Sequence, residues 1–261
     1  MSQAGCLLRA LLVGLGGAYA AASPAEDLPA ADPVSGYVQF MTNYVGRGLA
    51  QSVGQPAVQG EFDYYAADGL YTNLDGTSIN WIDQIYPGDS ASIEVDGVLG
   101  YRRMFAGDWT WKAGLLRLQY PGRYVPQTPP AEEPNTTEVF GYLAWKGLSA
   151  KLNYSLTDSF GTRDSKGSTY LDLEASQPLD RSWTLGAHLG LKRQTGKDPV
   201  SGLSHARNDY TDYKLSLAYA FRPDLSLTLA ESWTNADPAL YTINGYDAGG
   251  HHLWLVLEKD Y

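Results

Sequence analysis

The sequence predicts an all-β chain that folds as a single up-and-down antiparallel transmembrane β-barrel of about twelve strands. Three observations carry that expectation. Period-2 alternation of apolar and polar residues dominates from residue 35 onward, and helical periodicity is hard to find. Tight and long connections alternate strictly along the chain. The composition joins 19 Tyr, 7 Trp and 28 Gly to only 18% charged residues in 261, a balance that suits strands better than helices.

The N-terminal elements come first. Residues 1–22 read as a secretory signal: Arg9 supplies the positive charge, LLVGLGGAYA is a short apolar core, and Ala18-Tyr19-Ala20 fits a small-residue cleavage site. That run is too short to span a membrane as a helix. Cys6, the single cysteine, leaves with the signal, so no disulfide and no thiol chemistry are expected afterwards. Residues 23–34 form a Pro/Ala-rich linker, and 35–261 form the barrel. The net charge of −10 argues against a nucleic-acid partner.

Twelve strands are expected near 35–46, 56–66, 69–80, 90–105, 109–120, 136–146, 148–158, 168–178, 183–193, 209–221, 225–235 and 251–261. Several alternate sharply: Leu148, Ala150, Leu152, Tyr154 and Leu156 stand against Ser149, Lys151, Asn153 and Ser155. Tight turns fall at Asp68-Gly69, Ala106-Gly107-Asp108, Lys146-Gly147, Leu179-Asp180-Arg181 and Arg222-Pro223-Asp224. Every other connection is long, roughly ten to twenty residues, and rich in Pro, Gly, Asp and Asn. A secreted β-sandwich also has short alternating strands, but nothing in a sandwich requires every second loop to be short. The last strand, HLWLVLEKDY, alternates and ends on Tyr261 as outer-membrane assembly signals do, although Lys259 interrupts its apolar series.

The stretch YVGRGLAQSVGQPAVQGEFDY reads as a hairpin whose external loop is 46–55. Even positions (Val38, Phe40, Tyr44, Val58, Phe62, Tyr64) are expected outward. Odd ones (Gln39, Asn43, Gln59, Glu61, Asp63) are expected inward, with Arg47 and Glu61 meeting near the outer mouth. This stretch, with GLYTNLDGTSINW, SIEVDGVLGYRR, LQYPG and NTTEVFGYLAWKGLSAKLNYSLTDSFG, resembles the TorF-type porin family of proteobacterial outer membranes. The match runs in order through most of the chain after the linker. The family pattern has Gly-Gly after Pro-Ala-Val-Gln, where this chain has Gly60-Glu61. The resemblance implies an outer-membrane barrel with a diffusion role and leaves the substrate open.

Parity also sorts the charges. Inward acids are Glu61, Asp63, Glu94, Asp96, Glu138, Asp172, Glu174, Asp212 and Glu258. Inward bases are Lys112, Lys146, Lys151, Lys192 and Lys214, with His188 near neutral. The pore-lining charged set is Arg47, Glu61, Asp63, Glu94, Asp96, Lys112, Glu138, Lys151, Asp172, Glu174, Lys192 and Lys214. Acids gather on the second and fourth strands and lysines on the seventh and ninth, which suggests opposed walls with an acidic excess that favours cations. The bland alternative is that these charges brace the lumen as ion pairs. Leu115-Leu116 breaks the alternation of the fifth strand and leaves the side of Arg117 open. Twelve strands allow at most a narrow pore, which external loops could enter and block.

The function these features point to is passive diffusion of small polar solutes or ions across the outer membrane, its lipid being the other partner; the number of subunits is left open. No catalytic residue, cofactor or metal site is assigned. A lipid-modifying enzyme would need a Ser–His–carboxylate arrangement. The nearest material is His205 with Ser201, Ser204, Asn208 and Asp209, and no serine carries a nucleophile motif. His251-His252 is a weak metal pair with no third ligand in view. A third alternative is a barrel whose loops bind a partner, for which 121–135 has suitable composition. Trp109, Trp111, Trp145 and Trp183 near tight turns, with Tyr261, suggest the periplasmic aromatic girdle.

Overall fold

In the computed structural model the chain is described at residues 33–86, 88–105, 107–125 and 133–261. The signal and nearly all of the linker therefore lie outside the described residues, as do residues 126–132 of the loop 121–135. Twelve long strands close into one antiparallel barrel. We number them β1 (Val34–Met41), β2 (Ala57–Tyr65), β3 (Leu70–Ser78), β4 (Ile93–Phe105), β5 (Trp109–Gln119) and β6 (Thr136–Trp145). The second half comprises β7 (Leu148–Ser155), β8 (Thr169–Pro178), β9 (Trp183–Arg193), β10 (Tyr210–Arg222), β11 (Leu225–Thr234) and β12 (His252–Asp260). Each strand pairs with its chain neighbours, and β1 closes the ring on β12 through registers such as Gln39 with Glu258 and Tyr37 with Asp260. Closure removes both sheet edges, the condition for a sheet that has no water along its outer wall.

The pleat decides the rest. Leu74, Leu99, Leu115, Leu152, Leu185, Leu215, Leu253 and Leu255 all face outward and are exposed. A sandwich would bury that set between its sheets; here the polar set is inside. On β5 the alternation is unbroken: Leu115 points out, Leu116 points in, and Arg117 is on the outer face, bonded to Gln119 and Thr137. The double leucine is simply an apolar residue on each side.

One end is built of short turns. Lys146 and Gly147 both take positive φ (45° and 81°), the geometry that matches the twist of a two-residue hairpin. Lys146 is therefore in a turn, 59% exposed and 3.4 Å from Asp108; its expected inward placement is wrong because the chain reverses there. Asp180 accepts hydrogen bonds from the Ser182 and Trp183 amides (2.7 and 2.8 Å) and fixes the turn into β9. Lys259 faces outward and pairs with Asp224 at 2.7 Å, which is how the last strand accommodates a charge. Aromatics collect at this end, outside the wall. Trp109 stacks on Trp145 across β5 and β6 (5.8 Å between centroids), and Trp183 packs against Tyr219 (4.8 Å). Gly36 has a positional reason: a Cβ there would lie 2.5 Å from the Tyr261 hydroxyl, so the C-terminal ring lies over β1 where the barrel closes.

At the other end the long connections fold over the mouth. They include a ribbon pairing Val45–Gly46 with Leu49–Ala50, a short helix α1 (Trp81–Ile85), a 3-10 turn (His205–Asn208) and a helix α2 (Pro238–Tyr241). Ile79, Ile82, Tyr44, Ala50, Ala91 and Tyr120 are buried there, and with inward Met41, Leu116, Leu118 and Trp254 they make a small apolar core inside the barrel. No helix among the described residues is long and apolar enough to cross a membrane.

Candidate functional site

In the long loop between β1 and β2 the chain turns on an Arg-Gly pair. Arg47 and Gly48 occupy the tip of its ribbon with φ of 49° and 77°. A non-glycine residue in that region is strained by about 1 kcal/mol, so something must hold it. The Arg47 guanidinium donates two parallel hydrogen bonds to Glu138 of β6 (3.0 and 2.7 Å), the bidentate geometry that makes arginine–carboxylate pairs strong. It also lies over Tyr170 (4.9 Å) and Phe160 (5.4 Å). The Tyr210 hydroxyl donates to the Arg47 carbonyl at 2.7 Å. At Gly48 a Cβ would fall 2.4 Å from the Asp212 Cβ. Apart from Phe160, in the connection between β7 and β8, these partners come from β6, β8 and β10, across the ring from β1. The hairpin thus crosses the mouth and docks on the opposite wall. Two expectations are corrected here. Arg47 meets Glu138, not Glu61, because the hairpin reaches over the lumen rather than along its own wall. Tyr44 is fully buried rather than outward, because the chain leaves the strand pleat after Met41.

Glu61 lies deeper. It is in direct register with Tyr37, whose hydroxyl donates to it at 3.1 Å, and with Asp75 on β3; Asp75 is in turn in register with Asp96 on β4. Three carboxylates thus follow one another across three strands, an arrangement that repels. Gln59 donates to Asp75 (3.3 Å) and Asn73 to Asp63 (3.1 Å), and the Gln39 amide donates to Glu258. Glu94 accepts from Tyr44 (3.2 Å) and Tyr120 (2.5 Å). Burial, then the Glu94 charge, raises both of those loop hydroxyls, so they stay protonated donors. Asp96 is 0% exposed, and neither carboxylate oxygen has a hydrogen-bond partner among the described residues. Towards the tight-turn end this half is closed by stacked rings: Arg102 lies 3.8 Å over Tyr65, which stacks on Tyr71, and Lys112 approaches Tyr71 and Tyr142.

The facing wall is mixed rather than basic. Lys151, Lys192 and Lys214 point inward on β7, β9 and β10, with Asp172 and Glu174 of β8, His188 of β9 and Asp212 of β10 among them. Lys151 lies over Phe140 (5.0 Å) and Lys192 over Phe160 (5.4 Å). The opposed-wall expectation is corrected to an acidic wall facing a wall of interleaved ions, because the β8 acids alternate in the same register as the lysines. Asp75 and Arg102 join the inward set beyond the residues the sequence analysis names, and the parity of their strands carries that signal.

Space is unequally shared. Gln39, Gln59, Thr77 and Asp96 are all 0% exposed, so the acidic half is packed solid. On the other wall the side chains of Asp172 and Glu174 keep 28% and 20% exposure and Lys214 keeps 12%. Asp172, Glu174 and Lys214 are thus among the inward charges that keep some exposure.

The other histidines are spoken for. His205 is buried, with Nε2 2.7 Å from the Arg163 carbonyl, while Ser204 caps the 3-10 turn and Ser201 bonds Asp198. His251, just before β12, and His252, its first residue, point to opposite sides: His251 meets Glu231 outside at 2.6 Å, and His252 meets Tyr246 inside at 3.1 Å. The pleat separates them, so they cannot act as one metal pair. No Ser–His hydrogen bond is found among the described residues.

A closed twelve-stranded barrel with an apolar exterior and a charged interior is the architecture of a transmembrane β-barrel. The chain belongs to the family described as bacterial protein of unknown function (Gcw_chp), whose model matches residues 26–261. Three solved structures show the likeness in fold. The NanC porin is 13% identical with a TM-score of 0.53, covering 87% of this chain and 98% of its own. The KdgM porin is 10% identical with a TM-score of 0.51 over the same shares. An outer membrane channel from Pseudomonas putida F1 is 14% identical with a TM-score of 0.50, covering 90% and 97%. No curated protein matches by sequence.

Proposed function

We propose that the protein is an outer-membrane porin-like channel for passive diffusion of small polar solutes or ions, narrow and weakly cation-favouring. The single observation that carries this reading is the inversion of polarity in a closed barrel: exposed leucines outside, charged and partly accessible side chains within. The exterior band suits lipid, and residues 1–22 would direct export. The resemblance to the TorF-type porin family supports the same reading. The path would follow the inner faces of β8 to β10, past Asp172, Glu174 and Lys214, with Lys112, Lys151 and Lys192 beside it. Arg47 and Glu138 would form its outer constriction. The charge that Glu61, Asp63, Glu94 and Asp96 keep between them, reduced by burial and mutual repulsion, would act through its field from behind the packed half.

Single-channel conductance of the refolded barrel under a salt gradient tests this. Discrete steps with a cation-favouring reversal potential are expected. Neutralising Glu61, Asp63, Glu94 and Asp96 should shift that potential toward zero. The docked hairpin favours a second reading, a barrel with an occluded lumen that works through its loops by binding or lipid chemistry. Absence of conductance from a barrel whose migration still changes on heating would select it.

A further inference from the structure

The geometry points to a binding site for one divalent transition-metal ion inside the barrel, formed by Asp172, Glu174 and His188. Glu174 and His188 are in direct register on β8 and β9, and Asp172 stands one inward position further along β8. One ligand atom from each lies within 4.8 Å of the others. His188 Nδ1 is 3.0 Å from Asp172 Oδ1 and 3.9 Å from Glu174 Oε1. Two ligand atoms about 2.1 Å from a tetrahedral zinc ion are about 3.4 Å apart, so these separations bracket what a shared ion needs.

The other side of the imidazole is already fixed. His188 Nε2 lies 2.8 Å from Asp212 Oδ1, and the Tyr170 hydroxyl donates to both Asp212 oxygens (3.1 Å each). A histidine that donates its second nitrogen's proton to a carboxylate presents the first as a lone pair, the arrangement that orients metal-bound imidazoles. The backbone makes room for it: a Cβ at Gly190 would sit 2.2 Å from both Asp212 Oδ2 and the Tyr170 hydroxyl.

The independent observation is the state of Nδ1 itself. The His188 side chain is only 9% exposed, yet Nδ1 has no hydrogen-bond partner, and neither does Asp172 Oδ1, although the two face each other at 3.0 Å. A neutral imidazole would aim that lone pair at two carboxylates and repel them; a metal ion standing between the three groups turns the repulsion into coordination. Lys214, in direct register with His188 on β10, brings Nζ to 3.9 Å from the same Glu174 oxygen, so an ion would share that carboxylate with it. One imidazole and two carboxylates suit Zn²⁺ or Mn²⁺ and leave coordination positions open. The partial exposure of Asp172 and Glu174 gives the ion its way in. Binding does not require that the barrel conduct.

The test is calorimetric titration of Zn²⁺ into the full-length refolded barrel, chelator-treated and without a polyhistidine tag. Saturable binding of one ion is expected. Asp172→Asn and Glu174→Gln, both checked for heat-dependent migration, should weaken it at least tenfold. Asp212→Asn, which only frees the imidazole, should weaken it roughly 10- to 100-fold. Co²⁺ should give visible absorption that the Asp172→Asn protein lacks. No saturable binding by the wild type would overturn the site and make His188 an imidazolium held by its acids. Binding that survives in both carboxylate variants and disappears in His251→Asn would overturn it too, in favour of the exposed His251–Glu231 pair.

Discussion

Replacing Arg47 with alanine should release the first loop from the lumen. The substitution removes both hydrogen bonds to Glu138, which is 2% exposed and would be left without its bidentate partner. Breaking a buried ion pair from one side costs about 3–5 kcal/mol. Lys151 and Lys192 lie close enough to share the Glu138 charge, which places the loss toward the lower end. At about 1.4 kcal/mol per factor of ten, the released hairpin becomes roughly a hundred- to a thousandfold more populated. Amide hydrogen exchange reads this directly. The Ala50 amide bonds to the Ala248 carbonyl and the Gln51 amide to the Tyr44 carbonyl, both at 2.8 Å. Their protection should fall by that factor while amides of β7 to β9 keep theirs. The double variant Arg47→Ala, Glu138→Ala carries no orphaned charge and should recover much of the protection. Equal protection in wild type and the single variant would refute the idea that this pair holds the hairpin. If the barrel conducts, the single variant should also show larger steps.

Further expectations rest on other contacts. Gly48→Ala, which forces a Cβ to 2.4 Å from Asp212 at φ 77°, should expose the same amides, whereas Gly60→Ala, with nothing within 4 Å, should leave protection and heat-dependent migration unchanged. Gly190→Ala should displace Asp212 or Tyr170 and lower the unfolding midpoint in urea, since its Cβ would lie 2.2 Å from both. Trp145→Ala removes a ring stacked on Trp109 and should cost about 0.5–1.5 kcal/mol beyond lost burial, read from unfolding in lipid vesicles. Asp180→Ala leaves the Ser182 and Trp183 amides without their acceptor and should slow formation of the β8–β9 hairpin in refolding, with little change in conductance.

Much of the fold could be read from the residues because strand geometry is local. Leu148 to Ser155 alternate in the sequence and alternate in space, and Lys146-Gly147 turns where a two-residue hairpin must. The same parity placed Glu94, Asp96 and Asp172 on the inner face and Trp145 and Trp183 outside. Strand ends were less legible. The fourth strand begins at Ile93 rather than near residue 90, because Ala91 is packed into the loop core over the mouth.

What the sequence by itself determined is which face each strand residue takes, since the side-chain period of two follows from backbone pleat alone. It also determined which end carries the short turns. Only the tertiary structure decided who meets whom across the lumen. Arg47 finds Glu138, ninety-one positions away, and His188 finds Asp212 and Asp172 from separate strands. Parity says inward; it does not say how far along the barrel axis or toward which wall. Those are fixed by register, by closure of β1 on β12, and by a loop that leaves the pleat and crosses the interior, none of which has a local signature in the chain.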